Sequence, residues 1–304
     1  MTKRDYLTVD ALSSEELSKV LDLAEELKRD RRQRDDLRGK SVAMIFEKPS
    51  TRTRISFEVA IAELGATPVV LNASDLQLGR GETIEDTARV LSRYVHAVVV
   101  RTFAQSRLEA LASAGTVPVI NALSDFSHPC QALADLQTIR EHRGPLAGQK
   151  LAYLGDGNNV AHSLLKAGAM AGMHVAIGSP AGYEPIPQVV AVAEKLADAS
   201  GGHITCTADP LEAARDADVV YTDVWASMGQ EGEASARTML FRPFQVNAHV
   251  MDAAKPDALV MHCLPAHRDE EITADVIDGP NSVVFDQAEN RLHSQKALLL
   301  FLLT

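Results

Sequence analysis

Five short stretches of this chain hold residue types that can do chemistry. Ser50-Thr51-Arg52-Thr53-Arg54 sets hydroxyls and guanidiniums side by side, just ahead of a helical pattern. The N–H groups that open a helix have no partner in its first turn, and the helix dipole makes that end positive. With arginines beside it, such a start suits phosphate oxygens. His128-Pro129-Cys130-Gln131 offers an imidazole able to donate to a carbonyl oxygen and an amide able to pair with another amide. Asp223-Val224-Trp225-Ala226-Ser227-Met228-Gly229 combines a carboxylate and a hydroxyl on a glycine-bearing loop, groups able to grip an amino acid. His262-Cys263-Leu264-Pro265-Ala266-His267-Arg268 brings a thiol between imidazoles, and Gly155-Asp156-Gly157-Asn158-Asn159-Val160 mimics the opening of a dinucleotide fingerprint.

Taken singly, each stretch has a plainer reading: a capped helix start, a histidine at a helix end, a loop packed around the only tryptophan, Trp225. As a metal cluster residues 262–268 are poor, because the ligand count is low and no acidic partner is fixed nearby. The dinucleotide reading fails on two counts: Val160 stands where the third glycine belongs, and the next strand ends Ile177-Gly178-Ser179-Pro180, with no acid for a ribose. There is no P-loop and no GxSxG, so phosphate handling would rest on residues 50–54 rather than on Mg²⁺ chemistry.

The elements that must position these residues alternate short β-like runs with helical patterns. Residues 13–28 carry apolar side chains at helical spacing, with Ser13 or Ser14 as cap. Ser41–Phe46 predicts a buried strand, followed by a helix over 55–64 that Gly65 ends. Further strands are expected at 69–71, 97–100 and 116–120, the last at a sheet edge because of Pro118. A helix over 132–143 is broken by Gly144-Pro145, and the stretch Gly144–Gly148 is the best domain boundary. A second strand series follows at 149–154, 173–177, 204–207, 219–222, 258–262 and 282–285, with helices at 187–199 and 209–215 and an amphipathic helix at 287–303. Repeated strand–helix–strand units predict an α/β fold of parallel sheets covered by helices, whose ligands sit beyond the carboxyl ends of the strands. The motifs fall just after predicted strands.

Composition narrows the class. At roughly 150 residues per domain, 304 residues suggest two domains. Acids exceed bases by 41 to 30, a formal charge of −11, which argues against nucleic acid or an anionic membrane as partner. Any positive charge that holds an anion must therefore be local. Cys130, Cys206 and Cys263 are odd in number and form no CxxC pair, as expected in a reducing compartment. The N-terminal run has no apolar stretch of a signal peptide, and the apolar run 297–303 is far short of the roughly 20 residues that span a bilayer. A cytoplasmic location is expected.

With the five motifs in order, the sequence resembles the ornithine carbamoyltransferase family (anabolic type) of the aspartate/ornithine carbamoyltransferase superfamily. In that family STRTR binds the phosphate of carbamoyl phosphate, HPxQ lies at the carbamoyl group, HCLP lies between the two substrates, and DxxxSMG marks the ornithine branch. The resemblance runs nearly the full length. It implies that Ser50, Thr51, Arg52 and Thr53 hold the phosphate, and that Gln77, in Leu76-Gln77-Leu78-Gly79, reaches carbamoyl phosphate from a neighbouring subunit. Arg101 matches the arginine bridging phosphate and carbonyl oxygen, His128 and Gln131 the carbamoyl contacts, and Arg291 the C-terminal arginine of that pocket. Asn159 (or its neighbour Asn158), Asp223, Ser227 and Met228 match the ornithine site, and Cys263 and Leu264 the point where amine meets carbamoyl carbon. Arg101, His128 and Cys263 would be the catalytic residues.

The resemblance further implies transfer of the carbamoyl group to the δ-amine of L-ornithine, giving L-citrulline and phosphate in arginine biosynthesis, with no cofactor and no metal. It implies two doubly wound parallel-sheet domains with the active site in the interdomain cleft. Residues 1–144 would bind carbamoyl phosphate, with the helix at 287–304 packing back on them, and residues 145–286 would bind ornithine. A homotrimer or a multiple of trimers is expected.

Overall fold

The computed structural model describes residues 3–72, 81–225 and 234–304. The chain divides into two compact units, Met1–Gln137 with Glu289–Thr304, and Thr138–Ala288.

In the first unit, α1 (Ser14–Arg29) buries Leu17, Val20, Leu21, Ala24 and Leu27, the single face its spacing predicts. Ser13 caps it: its hydroxyl accepts from Glu16 N, and the Glu16 carboxylate accepts from Ser13 N. Then come β1 (Ser41–Phe46), α2 (Thr51–Glu63), β2 (Thr67–Asn72), α3 (Ile84–Tyr94), β3 (Ala97–Arg101), α4 (Gln105–Ala114), β4 (Val119–Leu123) and α5 (Pro129–Arg143). The described strands pair in parallel in the order β2-β1-β3-β4. The inner strands β1 and β3 are buried along nearly their whole length, as strands covered on both faces must be. β4 starts three residues later than its sequence pattern suggests. Pro118 has no N–H for the ladder, so it stays outside and only its carbonyl is used, by Val98 N at 2.8 Å. The outer edge of β4 is covered by Tyr6, which bonds Val119 O and Asn121 N.

The second unit continues with β5 (Lys150–Leu154), α6 (Asn159–Met170), β6 (His174–Gly178), α7 (Pro187–Ser200), β7 (His203–Thr207), α8 (Pro210–Ala214), β8 (Val219–Thr222), α9 (Ala234–Phe241), α10 (Ala248–Ala253), β9 (Leu259–His262) and α11 (Ala274–Ile277); the last helix, α12 (Val284–Leu303), starts here and from Glu289 on belongs to the first unit. Its strands are also parallel, in the order β7-β6-β5-β8-β9. The strand expected at 282–285 is a single bridge, Val260 to Ser282, because α12 already begins at Val284. That last helix is not amphipathic toward water. Every residue from Asn290 to Leu300 is buried, and polar ones among them find partners on other helices: Asn290 with Lys28 at 2.8 Å, Lys296 with Glu63 at 2.8 Å. No described helix is long and apolar enough to cross a membrane.

Both sheets wind in two directions from an inner strand, so each has a switch point where the chain leaves opposite ways. In the first unit this crevice lies beyond the carboxyl ends of β1 and β3, in the second beyond β5 and β8. The sequence motifs follow β1, β4, β5, β8 and β9, and Arg101 ends β3.

Candidate active site

The loop after β1 leads straight into α2. The helix starts at Thr51, four residues earlier than expected, because Ser50 is its N-cap: the Ser50 hydroxyl accepts from Thr53 N at 3.3 Å and donates to Thr53 Oγ1 at 3.0 Å. The hydroxyl- and arginine-rich motif is thus the cap and first turn of α2, the part of a helix that attracts anions. Thr51 and Arg52 are exposed, while Thr53 is buried. Arg101, the last residue of β3, is 6% exposed and donates from Nη1 to Thr53 Oγ1 at 3.4 Å. Parallel pairing of Phe46 with Arg101 fixes that arginine at the same level as the β1 loop.

His128 precedes α5 and is 5% exposed. Burial, then the charges of Arg291 and Arg101, hold its imidazole well below the ordinary value near 6.5. It is a neutral ring beside two guanidiniums, so it can give one N–H to an oxygen without competing for charge. Gln131 is anchored at both ends: its Nε2 donates to Asp135 Oδ1 at 2.8 Å and its Oε1 accepts from Arg291 Nη1 at 2.7 Å. Arg291 also donates to Gln295 Oε1, and Gln295 Nε2 to Ser56 Oγ at 2.7 Å, which ties α12 back to α2. Cys130 is no nucleophile. Burial pushes its thiol up to about 12, and Sγ donates to Asn121 O.

His128 sets a stability prediction. A histidine whose folded value is depressed favours folding only while neutral. Its contribution is complete above pH 6.5 and is lost as pH falls below that, because the unfolded chain then takes up the proton first. Urea melts of His128→Gln should show a shallower acid decline than the parent, by up to about 1.4 kcal/mol per pH unit below 6.5. Parallel declines would remove His128 from the acid response.

In the second unit the groups after β5, β8 and β9 converge. Asp223, one residue beyond β8, is buried. Its Oδ1 accepts from Cys263 Sγ at 2.9 Å and from Val224 N at 2.8 Å, and its Oδ2 from Asn158 Nδ2 at 3.4 Å. Asn158 is also the N-cap of α6, accepting from Val160 N and Ala161 N, and Tyr153 OH donates to it at 3.4 Å. Burial, then the charges of Asp223 and Asp156, keep that phenol well above its usual range, so it remains a donor. Asn159 is the half-buried first residue of α6. Gln77, Ser227 and Met228 lie outside the described residues.

Asp269, Glu270 and Glu271 follow the His262–Arg268 run directly, and the fold sets one of them against His262. Glu271, nine positions on, is fully buried with Oε1 3.1 Å from His262 Nε2. His262 Nδ1 accepts from Leu264 N at 2.8 Å, which holds Leu264 in the left-handed region at φ +57°. Asp223, His262 and Cys263 place donor atoms within 4.8 Å of one another. In this arrangement both His262 nitrogens are committed, one to Leu264 N–H and one to Glu271, so neither lone pair is open to an ion.

The dinucleotide reading meets a physical block. In a nucleotide fold the second glycine lets a pyrophosphate approach. Here Gly157 N donates to Tyr183 O at 2.8 Å, and a Cβ on Gly157 would lie 2.2 Å from Pro185 N. The chain itself occupies that space. Gly157→Ala should cost about 1–3 kcal/mol, read as a fall in urea midpoint. An unchanged midpoint would contradict this close packing.

Sequence reasoning passed over several residues. Lys48 is buried, pairs with Asp125 at 2.6 Å and lies 4.2 Å from the Phe103 ring centre, joining the loops after β1, β3 and β4. Glu271, Gln295 and Arg237 were also missed. The one signal for Lys48 was its place just past a strand end.

Comparison with known proteins follows the same division. Residues 4–141 match the model of the aspartate/ornithine carbamoyltransferase carbamoyl-P binding domain, and residues 147–302 match that of its Asp/Orn binding domain. The chain belongs to the aspartate/ornithine carbamoyltransferase family. Among members of this carbamoyltransferase family it is 64% identical over 307 residues to the ornithine carbamoyltransferase of Parafrankia sp. (strain EAN1pec), covering 100% of this chain and 97% of that protein. It is 58% identical to the anabolic ornithine carbamoyltransferase of Pyrococcus furiosus, over 97% of this chain and 95% of that one. The solved ornithine carbamoyltransferase from Pyrococcus furiosus superposes with a TM-score of 0.96 at 56% identity, over 99% of this chain and 97% of that one. The Thermus thermophilus structure gives 0.90 at 45%, over the full length of both.

Proposed function

We infer that this chain is an ornithine carbamoyltransferase, moving the carbamoyl group of carbamoyl phosphate to the δ-amine of L-ornithine and yielding L-citrulline and phosphate, a step of arginine biosynthesis. The observation that carries the reading is the arrangement of Thr53, Arg101, His128, Gln131 and Arg291: two buried guanidiniums, a neutral imidazole and a helix start. In this reading residues 1–144, with the helix at 287–304, bind carbamoyl phosphate, and residues 145–286 bind ornithine.

Ser50, Thr51, Arg52 and Thr53 hold the phosphate with Arg101. Arg101, His128 and Thr53 draw electron density onto the carbamoyl oxygen, each donor contributing about 3 kcal/mol where charge develops. Gln131 and Arg291 orient the carbamoyl amide, and Gln77 contributes from a neighbouring subunit. Asp223, Asn159 or Asn158, Ser227 and Met228 hold the amino-acid end of ornithine. The δ-amine is mostly protonated in water near pH 7 and must lose that proton to attack, which a dry site with cationic neighbours favours. The amine nitrogen bonds to the carbamoyl carbon beside Cys263 and Leu264. The C–O bond to phosphate breaks, and the leaving phosphate takes the proton shed by nitrogen. The Cys263 thiol, a donor to Asp223, positions the amine rather than deprotonating it.

The enzyme is cytoplasmic and a trimer or multiple of trimers. A fully active monomer in sedimentation would contradict the role of Gln77. The decisive assay is citrulline formation from carbamoyl phosphate and ornithine without added metal or nucleotide. Faster carbamoylation of aspartate or putrescine would overturn the acceptor.

A further inference from the structure

Arg237 on α9 is a buried cation that the mechanism above does not use. Its Nη1 donates to Asp156 Oδ2 at 2.7 Å and to Trp225 O at 2.9 Å, and its guanidinium lies 4.9 Å from the centre of the Tyr183 ring. Those partners come from different loops. Asp156 follows β5, Tyr183 follows β6, and Trp225 follows β8. Tyr183 O in turn accepts from Gly157 N. Phe241, one helical turn beyond Arg237, packs against both Tyr183 and Trp225, at 4.9 and 6.0 Å between ring centres. The loops so gathered carry Asn158 and Asp223, which are bonded to each other.

There is also an electrostatic reason for a cation here. Asp156 and Asp223 are two carboxylates in one half-buried place. Burial raises the Asp156 carboxyl, the Arg237 hydrogen bond and charge oppose this, and the Asp223 charge adds to it. An arginine is suited to the position because one planar group can bond a carboxylate and a carbonyl at once while stacking on a ring. A buried pair is weak proof of stabilisation, but removing one partner leaves the other charge uncompensated.

We propose that Arg237 is a positioning residue for the acceptor: it fixes the loops after β5, β6 and β8 so that Asn158 and Asp223 present one preformed site to the amino-acid end of ornithine. This rests on the proposed function, so the parent enzyme is assayed first. If it forms no citrulline, the function fails before Arg237 is tested. With an active parent, Arg237→Gln should raise the KM for ornithine at least tenfold and change that for carbamoyl phosphate less than twofold. Adding Asp156→Asn to that variant removes the stranded carboxylate and should bring the ornithine KM partly back. Arg237→Lys keeps the charge but cannot make all three contacts, so its ornithine KM should lie between. It also reads the same split if the glutamine variant does not fold. Equal rises in both KM values, a fall in kcat alone, or no recovery in the double variant would overturn the proposal.

Discussion

Arg101→Met should lower kcat for citrulline formation by roughly three to four orders of magnitude while the protein still unfolds cooperatively. The argument starts from placement. Arg101 ends an inner strand, paired with Phe46, and is almost wholly buried beside Thr53. A guanidinium in that position is held by the sheet, so it needs no reorganisation as charge builds on the carbamoyl oxygen. One lost oxyanion donor costs about 100- to 1000-fold in turnover. Arg101 is assigned a second duty on the departing phosphate, which extends the loss. Methionine replaces the arginine stem with a flexible apolar chain of similar reach, so the surrounding packing survives. The experiment is a steady-state assay with a thermal melt of the same sample. A kcat within tenfold of the parent, in a folded variant, would remove Arg101 from the chemistry.

Strands were the more legible part of the fold. Ser41–Phe46 and Val219–Thr222 have the observed limits, because a continuous apolar run with β-branched residues has few other uses in a buried parallel sheet. Helix starts were harder. Ser50 looked like part of a loop, and only its bond to Thr53 N shows where α2 begins. The final helix looked amphipathic because sequence alone cannot tell a wet polar face from a buried one whose partners come from distant helices. Lys28 lies 262 positions from Asn290, and Gln131 lies 160 from Arg291.

The same limit governs the site. Arg101, His128, Gln131 and Arg291 could be named from motifs, and the fold joins Gln131 to Arg291 and places both arginine charges against His128. Residues that act through others carried no local signature. Glu271 reads as one acid in an acidic stretch until His262 is seen against it, and Arg237 reads as a surface arginine until Asp156 and Trp225 close on it. Net charge misleads in a related way. The chain is −11 overall, yet it buries Arg101 at the end of β3 and Arg291 on α12, both close enough to His128 to act on its charge, so local positive charge is available whatever the net charge.

Asp223→Asn should reduce kcat/KM for ornithine by about 100- to 1000-fold and leave the KM for carbamoyl phosphate unchanged. Asp223 accepts from three donors, the Cys263 thiol, Val224 N and Asn158 Nδ2. An asparagine of the same shape must turn its own NH₂ toward one of them, setting donor against donor in a buried place. It also removes a negative charge that would face the α-ammonium of the acceptor, and the sum of those losses is about 3–4 kcal/mol. Putrescine is the discriminating control. It has the reacting amine but no amino-acid end, so a site that reads that end through Asp223 should carbamoylate putrescine equally poorly before and after the change. If the two acceptors instead fall together, Asp223 serves the reacting amine or the loop itself, and the acceptor end must be read elsewhere.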